Sequence, residues 1–163
     1  MKQQIRLLGI DDSPFTFTDM YATVIGVVMR GGQYLECVLT SQVSIDGDDA
    51  TYVCKEMIEN TRHRKQLKVM LLDGIALGGF NIVDIEDIFN SLQLPVITVT
   101  RDKPDFNKIK DALKKNFLDW EKRLTLIKNG TIHKVQTSHN PIYVKCSGID
   151  IEEAKEIIKI STI

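Results

Sequence analysis

The apolar residues in the first hundred positions fall in short runs that predict the strands of a sheet. Residues 5–10, 67–72 and 95–100 are nearly continuous apolar runs that stop at polar or turn-forming residues, as is typical of strands buried on both faces. Two longer β-rich runs, residues 20–29 and 34–45, flank a Gly-Gly pair that suits a tight antiparallel hairpin. A helical segment between the last two buried strands predicts that these strands are parallel neighbours.

Other segments carry apolar residues at helical spacing. These are residues 49–63, 83–92, 105–128 and 150–158. The third of them predicts one long amphipathic helix, and two short strand-like runs that follow it, residues 131–136 and 142–146, predict a small added hairpin. We therefore expect one α/β domain over residues 1–163, with a five-stranded mixed sheet in which three antiparallel strands lead into parallel ones, and with helices on both faces. In this division residues 1–104 form the core, and residues 105–163 form the long helix, the hairpin and a terminal helix.

Length and composition favour an ordinary globular protein. The chain has 163 residues, of which 43% are hydrophobic, and this length is enough to bury a core without disulfides. Cys37, Cys54 and Cys146 are odd in number and contain no Cys-x-x-Cys pair, which indicates thiols in a reducing compartment. We expect a cytoplasmic protein with no membrane partner, because no segment has the apolar length that a bilayer span or a signal peptide needs.

Charge is distributed unevenly along the chain, although the formal net charge is only -1. Residues 101–134 contain ten Lys or Arg and five Asp or Glu, whereas residues 1–100 contain eight and thirteen. A basic face on the helix predicted at 105–128 fits either a simple solvated surface or a surface that meets phosphates. In the second interpretation Lys114 and Lys115 contact a nucleic acid backbone.

Two aspartates end two of the predicted buried strands. Asp11 follows the first run, and Asp73 follows the second. Neighbouring strands lie about 4.8 Å apart, so two carboxylates at such ends repel each other unless a hard divalent cation lies between them. The alternative is that each Asp bonds its own turn backbone. An acidic cluster at Asp46, Asp48 and Asp49 precedes the first helix, and one of its members is expected to cap that helix.

Three sequence motifs carry a resemblance to a known family. They are Gly-Ile-Asp-Asp-Ser-Pro-Phe at 9–15, Ile-Asp-Gly-Asp-Asp-Ala-Thr at 45–51 and Leu-Asp-Gly-Ile-Ala-Leu-Gly-Gly-Phe-Asn at 72–81. In this order they resemble the motifs of the archaeal domain-of-unknown-function family ninety-nine, a distant relative of endonuclease V. The resemblance implies a ribonuclease H-like fold.

The resemblance also implies a chemistry, a Mg²⁺-dependent (or Mn²⁺-dependent) nuclease acting on DNA or RNA. In endonuclease V a metal-binding Asp follows a Gly-Val pair on the first strand, which Asp11 matches, and a second Asp precedes a Gly, which Asp73 matches. The third acid there is a Glu, whose place Asp49 would take, with Asp46 and Asp48 as alternatives. We expect Asp11, Asp73 and Asp49 to be the catalytic and metal-binding residues.

The sequence also departs from the endonuclease V pattern. It has no aromatic and proline wedge before the third acid, and none of its three histidines has the context of the endonuclease V histidine. These departures favour an alternative, a non-catalytic nucleic-acid-binding or assembly protein with the same fold. A small-molecule binder is a third interpretation. The glycine-containing loop before the second helix is predicted to contact substrate through Gly78, Gly79 and Asn81, because N–H groups at a helix N-terminus bind anions.

Overall fold

The computed structural model describes residues 4–162, which form a large mixed sheet covered by helices and a small two-stranded sheet. The strands are β1 Arg6–Asp12, β2 Tyr21–Arg30, β3 Tyr34–Ser44, β4 Leu67–Asp73, β5 Ala76–Leu77, β6 Asn81–Ile82, β7 Val96–Thr100, β8 His133–Val135 and β9 Ile142–Ser147. The helices are α1 Ala50–Asn60, α2 Ile85–Leu92, α3 Phe106–Asn116, α4 Trp120–Lys128 and α5 Ile151–Ser161, with a 3₁₀ turn at Arg64–Gln66. None of the helices within residues 4–162 has both the length and the apolar character that crossing a bilayer requires.

The main sheet has seven strands in the order β3-β2-β1-β4-β7-β9-β8, so the expectation of five strands is wrong. Strands β3, β2 and β1 are antiparallel, and β1, β4 and β7 are parallel, as the sequence predicts. The difference lies in the hairpin of β8 and β9, which is not a separate addition. Strand β9 pairs with β7 from Val96↔Ser147 to Thr100↔Tyr143 and so satisfies the backbone groups that β7 would otherwise expose at a sheet edge.

The predicted long helix over residues 105–128 is two helices, α3 and α4. Phe117 ends α3 in an extended conformation, with φ -133° and ψ 131°. The apolar periodicity continues across the break because both helices pack on one cluster that includes Leu113, Leu124 and Ile82. The break brings the Phe117 ring against Phe80, with the ring centroids 5.7 Å apart.

Helices cover both faces of the sheet, as expected. Leu8 and Ile10 of β1 belong to the core under α1 and α2. Leu7 of the same strand belongs to a second core, which contains Ile157 of α5. Successive side chains of a strand point to opposite faces, and this alternation continues to the end of β1.

Candidate functional site

Asp11 and Asp73 are neighbours at the ends of two parallel central strands. The β1–β4 register pairs Gly9 with Leu71 and Ile10 with Leu72, so the two aspartates are next in the same register. Both residues are exposed. By strand alternation they lie on the face of the sheet that carries Leu7 and α5. The structure therefore brings together two of the three acids that the sequence singled out.

The environment of Asp11 disfavours its ionised form. Partial burial of the Asp11 carboxylate raises its pKa, while a hydrogen bond from the Asp12 N–H at 2.8 Å opposes this, and the negative charges of Asp73 and Asp12 raise the pKa further. Neither Asp11 nor Asp73 forms an ion pair with a Lys, Arg or His in residues 4–162. The pair is thus a local concentration of negative charge without a protein cation to offset it.

Asp12 lies on the opposite face from Asp11 and has a different partner. Its carboxylate accepts a hydrogen bond from the Gly78 N–H at 2.6 Å. Gly78 has φ +59°, and a Cβ there would lie 3.0 Å from Val43 Cγ2. This glycine is required by the tight approach of its loop to the sheet, and its N–H is already used by Asp12.

Asp49 does not join the Asp11–Asp73 pair. Its carboxylate accepts hydrogen bonds from the Ser44 N–H at 3.1 Å, the Ser44 hydroxyl at 2.9 Å and the Asn81 amide at 2.6 Å. Burial acts to raise the pKa of Asp49, but these hydrogen bonds outweigh burial and hold the pKa below its ordinary value. Within residues 4–162 there is no group of three or more His, Cys, Asp or Glu placed to hold one metal ion.

Asn81, predicted to contact substrate, is fully buried. Besides Asp49, its amide nitrogen donates to the Ser44 carbonyl at 2.9 Å, and its amide oxygen accepts from the Ala50 N–H at 2.9 Å. Asn81 thereby supplies a side-chain cap for the first turn of α1, since Asp49 stands at the N-cap position but its side chain bonds no helix N–H. These contacts hold the end of β3 and the start of α1 together.

The loop between β5 and β6, residues 78–80, is held by Asp46 and Arg123. Asp46 adopts φ +55°, and its carboxylate accepts from the Phe80 N–H at 2.8 Å. Arg123 Nη1 donates to the carbonyls of Asp46 and Gly47 at 2.9 Å each and to that of Phe80 at 2.8 Å. A Cβ on Gly79 would collide with the Asp46 carboxylate. This loop leads into the short strand β6 and not into a helix. The N-terminus of α2 comes later and is capped by Asp84.

Lys114 and Lys115 lie exposed in the last turn of α3. The Lys114 ammonium is 4.7 Å from the centroid of the Trp120 ring, a cation–π contact across the break between α3 and α4. A helix of eleven residues is about 16 Å long. Lys114 and Lys115 therefore lie at the opposite end of α3 from the loop that connects β7 to this helix.

The donor set at Asp11 and Asp73 fits a hard divalent cation. Mg²⁺ is commonly held by one or two carboxylates, with the remaining ligands supplied by waters and substrate phosphates. Two exposed carboxylates without a protein counter-ion meet this description. Asp49, whose oxygens accept from Ser44 and Asn81, forms no three-acid group with them within residues 4–162.

Sequence reasoning missed the structural roles of Asp12, Asp46 and Arg123. The doublet Asp11-Asp12 contained a usable signal, because strand alternation assigns the two carboxylates to opposite faces. Nothing local marks Arg123, whose three acceptors are 43 to 77 residues away in the chain.

Comparisons with known proteins agree with the fold. The sequence profile described as Endonuclease dU matches residues 3–163. A UPF0215 protein of Methanothermobacter thermautotrophicus is 48% identical over 164 residues, which cover 99% of this chain and 80% of that protein. The crystal structure of a protein of unknown function from Archaeoglobus fulgidus superposes with a TM-score of 0.88 at 37% identity, covering 98% of this chain and 88% of that one.

A more distant likeness extends to a nuclease. Endonuclease V of Ciona intestinalis, in complex with a 24-mer DNA containing an inosine, superposes with a TM-score of 0.60 at 15% identity, covering 98% of this chain and 78% of that one. At this identity the likeness establishes the fold. Because the family profile spans nearly the whole sequence and the archaeal relatives match over nearly all of it, the chain belongs to the Endonuclease dU (UPF0215) family.

Proposed function

We propose that this protein is a divalent-metal-dependent endonuclease acting on nucleic acid, with Asp11 and Asp73 as its metal-holding residues. The observation that carries this proposal is the pair of exposed carboxylates, adjacent at the ends of β1 and β4 and without a protein counter-ion. The family description and the endonuclease V fold support hydrolysis of a phosphodiester as the reaction class.

In this proposal two groups of residues have separate roles, metal binding and attraction of the nucleic acid. Asp11 and Asp73 would hold the cation, preferably Mg²⁺, and the exposure of both residues gives a phosphate access to them. When bound, such an ion lowers the pKa of a water molecule and offsets negative charge that develops on the phosphodiester. The lysines on α3, including Lys114 and Lys115, attract the nucleic acid backbone at a distance from the cleaved bond.

Asp49 has a supporting role in this scheme. Its hydrogen bonds to Ser44 and Asn81 fix the turn that enters α1. Gly78 and Gly79 likewise act by shaping the loop between β5 and β6. The proposed chemistry therefore rests on two carboxylates from the protein, with further oxygen ligands from water and substrate.

The test combines metal binding with cleavage. Mn²⁺ binding by calorimetry is compared among the wild type, Asp11→Asn, Asp73→Asn and the exposed control Asp111→Asn. We expect Asp11→Asn and Asp73→Asn to weaken Mn²⁺ binding and to reduce cleavage at least about 100-fold, since each removes a metal ligand. DNA and RNA oligonucleotides with deoxyuridine, inosine or no modification serve as substrates. Unchanged Mn²⁺ binding in Asp11→Asn and Asp73→Asn would refute the site.

The absence of a third acid beside the pair within residues 4–162 favours a second candidate, a nucleic-acid-binding protein without catalytic activity. The same assays separate the two. A catalytic protein cleaves only with the divalent ion, whereas a binding protein shows affinity that falls steeply with salt and leaves every oligonucleotide intact.

A further inference from the structure

A cavity lies on the other face of the sheet from the Asp11–Asp73 pair. It has a volume of about 290 Å³ and lies between β7 and β9 on one side and α3 and α4 on the other. Its apolar wall includes Phe106, Ile109, Ile127 and Ile132. Ligand pockets are commonly about 300–1,000 Å³, so this cavity suits a fragment-sized molecule with a single ring.

Lys145 is a buried charged residue in the otherwise largely apolar lining of this cavity. It lines the wall from the central part of β9 and is only 6% exposed. Its ammonium donates a hydrogen bond to the Ile127 carbonyl near the C-terminus of α4, where positive charge complements the helix dipole. Among residues 4–162 no carboxylate lies within ion-pair distance of it.

The Lys145 ammonium has fewer hydrogen-bond acceptors than it has N–H donors. It has three N–H donors, and Ile127 takes one of them. A buried charge is costly unless it is paired, and burial accordingly lowers the pKa of Lys145. Asp102, Lys103 and Tyr143 are the other titratable residues of the lining, and Lys128 lies over the Phe106 ring.

We propose that this cavity binds a small carboxylate with a flat apolar body. The carboxylate accepts the free N–H groups of Lys145, and the apolar body packs against Phe106, Ile109 and Ile132. Such a ligand supplies the negative charge that the protein does not place beside Lys145, and it removes the apolar wall from water. The site is independent of the proposed nuclease centre, because Thr98 and Lys145 face α3 and α4 whereas Asp11 and Asp73 face the side of α5.

The experiment uses benzoate as the probe and benzamide, its uncharged analogue, as the ligand control. We expect benzoate to bind with a Kd below about 1 mM and benzamide to bind at least about tenfold more weakly. Lys145→Met should weaken benzoate binding more than about tenfold. Lys134→Met, which removes an exposed lysine from the adjacent strand β8, should leave it unchanged.

A measurement on the unaltered protein covers the case in which Lys145→Met does not fold. The NMR resonance of the Lys145 Cε is followed against pH with and without benzoate. We expect benzoate to shift the midpoint to higher pH, because a bound anion favours the ammonium form. An unchanged midpoint, no benzoate binding, or equal binding of benzoate and benzamide would each overturn the proposal.

Discussion

Replacing Arg123 tests whether one side chain holds the turn of Asp46 and Gly47 against the loop at residues 78–80. Arg123 is 12% exposed at its side chain, and its Nη1 reaches three backbone carbonyls at 2.8–2.9 Å. Its Nε also pairs with Asp119 at 2.9 Å, and its guanidinium lies 4.2 Å from the centroid of the Phe117 ring. Arg123→Met keeps an apolar stem of similar bulk over Phe117 but removes every donor.

The expected loss can be worked from these contacts. One guanidinium nitrogen has two N–H groups, so the three carbonyls share them and at most two full hydrogen bonds are formed. Each hydrogen bond involving a charged group contributes about 1.5–3 kcal/mol, so two of them give a loss of about 3–6 kcal/mol in the free energy of unfolding for Arg123→Met. Arg123→Lys keeps the charge without the planar fork and should lose about 2 kcal/mol.

Urea denaturation followed by circular dichroism measures both variants. The matched control is Lys122→Met on the same helix, an exposed lysine for which we expect a change within about 0.5 kcal/mol. A total stability of about 5–15 kcal/mol is usual for a domain, so the loss in Arg123→Met would be easily resolved. If the free energy of unfolding of Arg123→Met lies within about 1 kcal/mol of the wild-type value, the three carbonyls do not depend on Arg123.

Two further predictions concern the acids. Asp11→Asn should raise the free energy of unfolding by less than about 1 kcal/mol, because it removes one of two neighbouring negative charges. The urea midpoint should rise slightly, and a lower midpoint would contradict the repulsion between Asp11 and Asp73. For Asp49, whose folded-state pKa lies below its ordinary value, stability is complete above the unfolded pKa of about 4 and is lost as pH falls through the folded pKa. Urea midpoints at pH 5 and pH 3 should therefore fall less for Asp49→Asn than for the wild type, and parallel falls would show that Asp49 is not responsible.

Much of the central sheet could be predicted from the sequence because its signals are local. The apolar runs that end at Asp11 and Asp73 are short, strongly apolar and bounded by turn residues, so both strands follow from pattern. The helix between the strands that end at Asp73 and Thr100 likewise indicates that those two strands are parallel. The pairing of β9 with β7 has no such signal, since it depends on an edge that exists only after the parallel strands have formed. That is why the predicted sheet had five strands and the observed sheet has seven.

The limits of the site prediction have a similar cause. The positions of Asp11 and Asp73 at the ends of two buried strands were enough to expect the two side by side, but the direction of Asp49 depends on Asn81, a residue 32 positions away. The break between α3 and α4 was hidden for another reason. Phe117 and Trp120 continue the helical spacing of apolar residues because both helices pack on the same cluster.

Asp11 and Asp12 are consecutive in β1, so their carboxylates lie on opposite faces of the sheet and have different partners. A one-residue deletion early in β1 that preserved strand pairing would present Asp12 to Asp73, and the N–H of Gly78 would then meet a serine in place of an acid. A one-residue insertion would instead move Ile10 beside Asp73 and abolish the charge pair. A change in the length of this strand would therefore exchange the partners of both carboxylates.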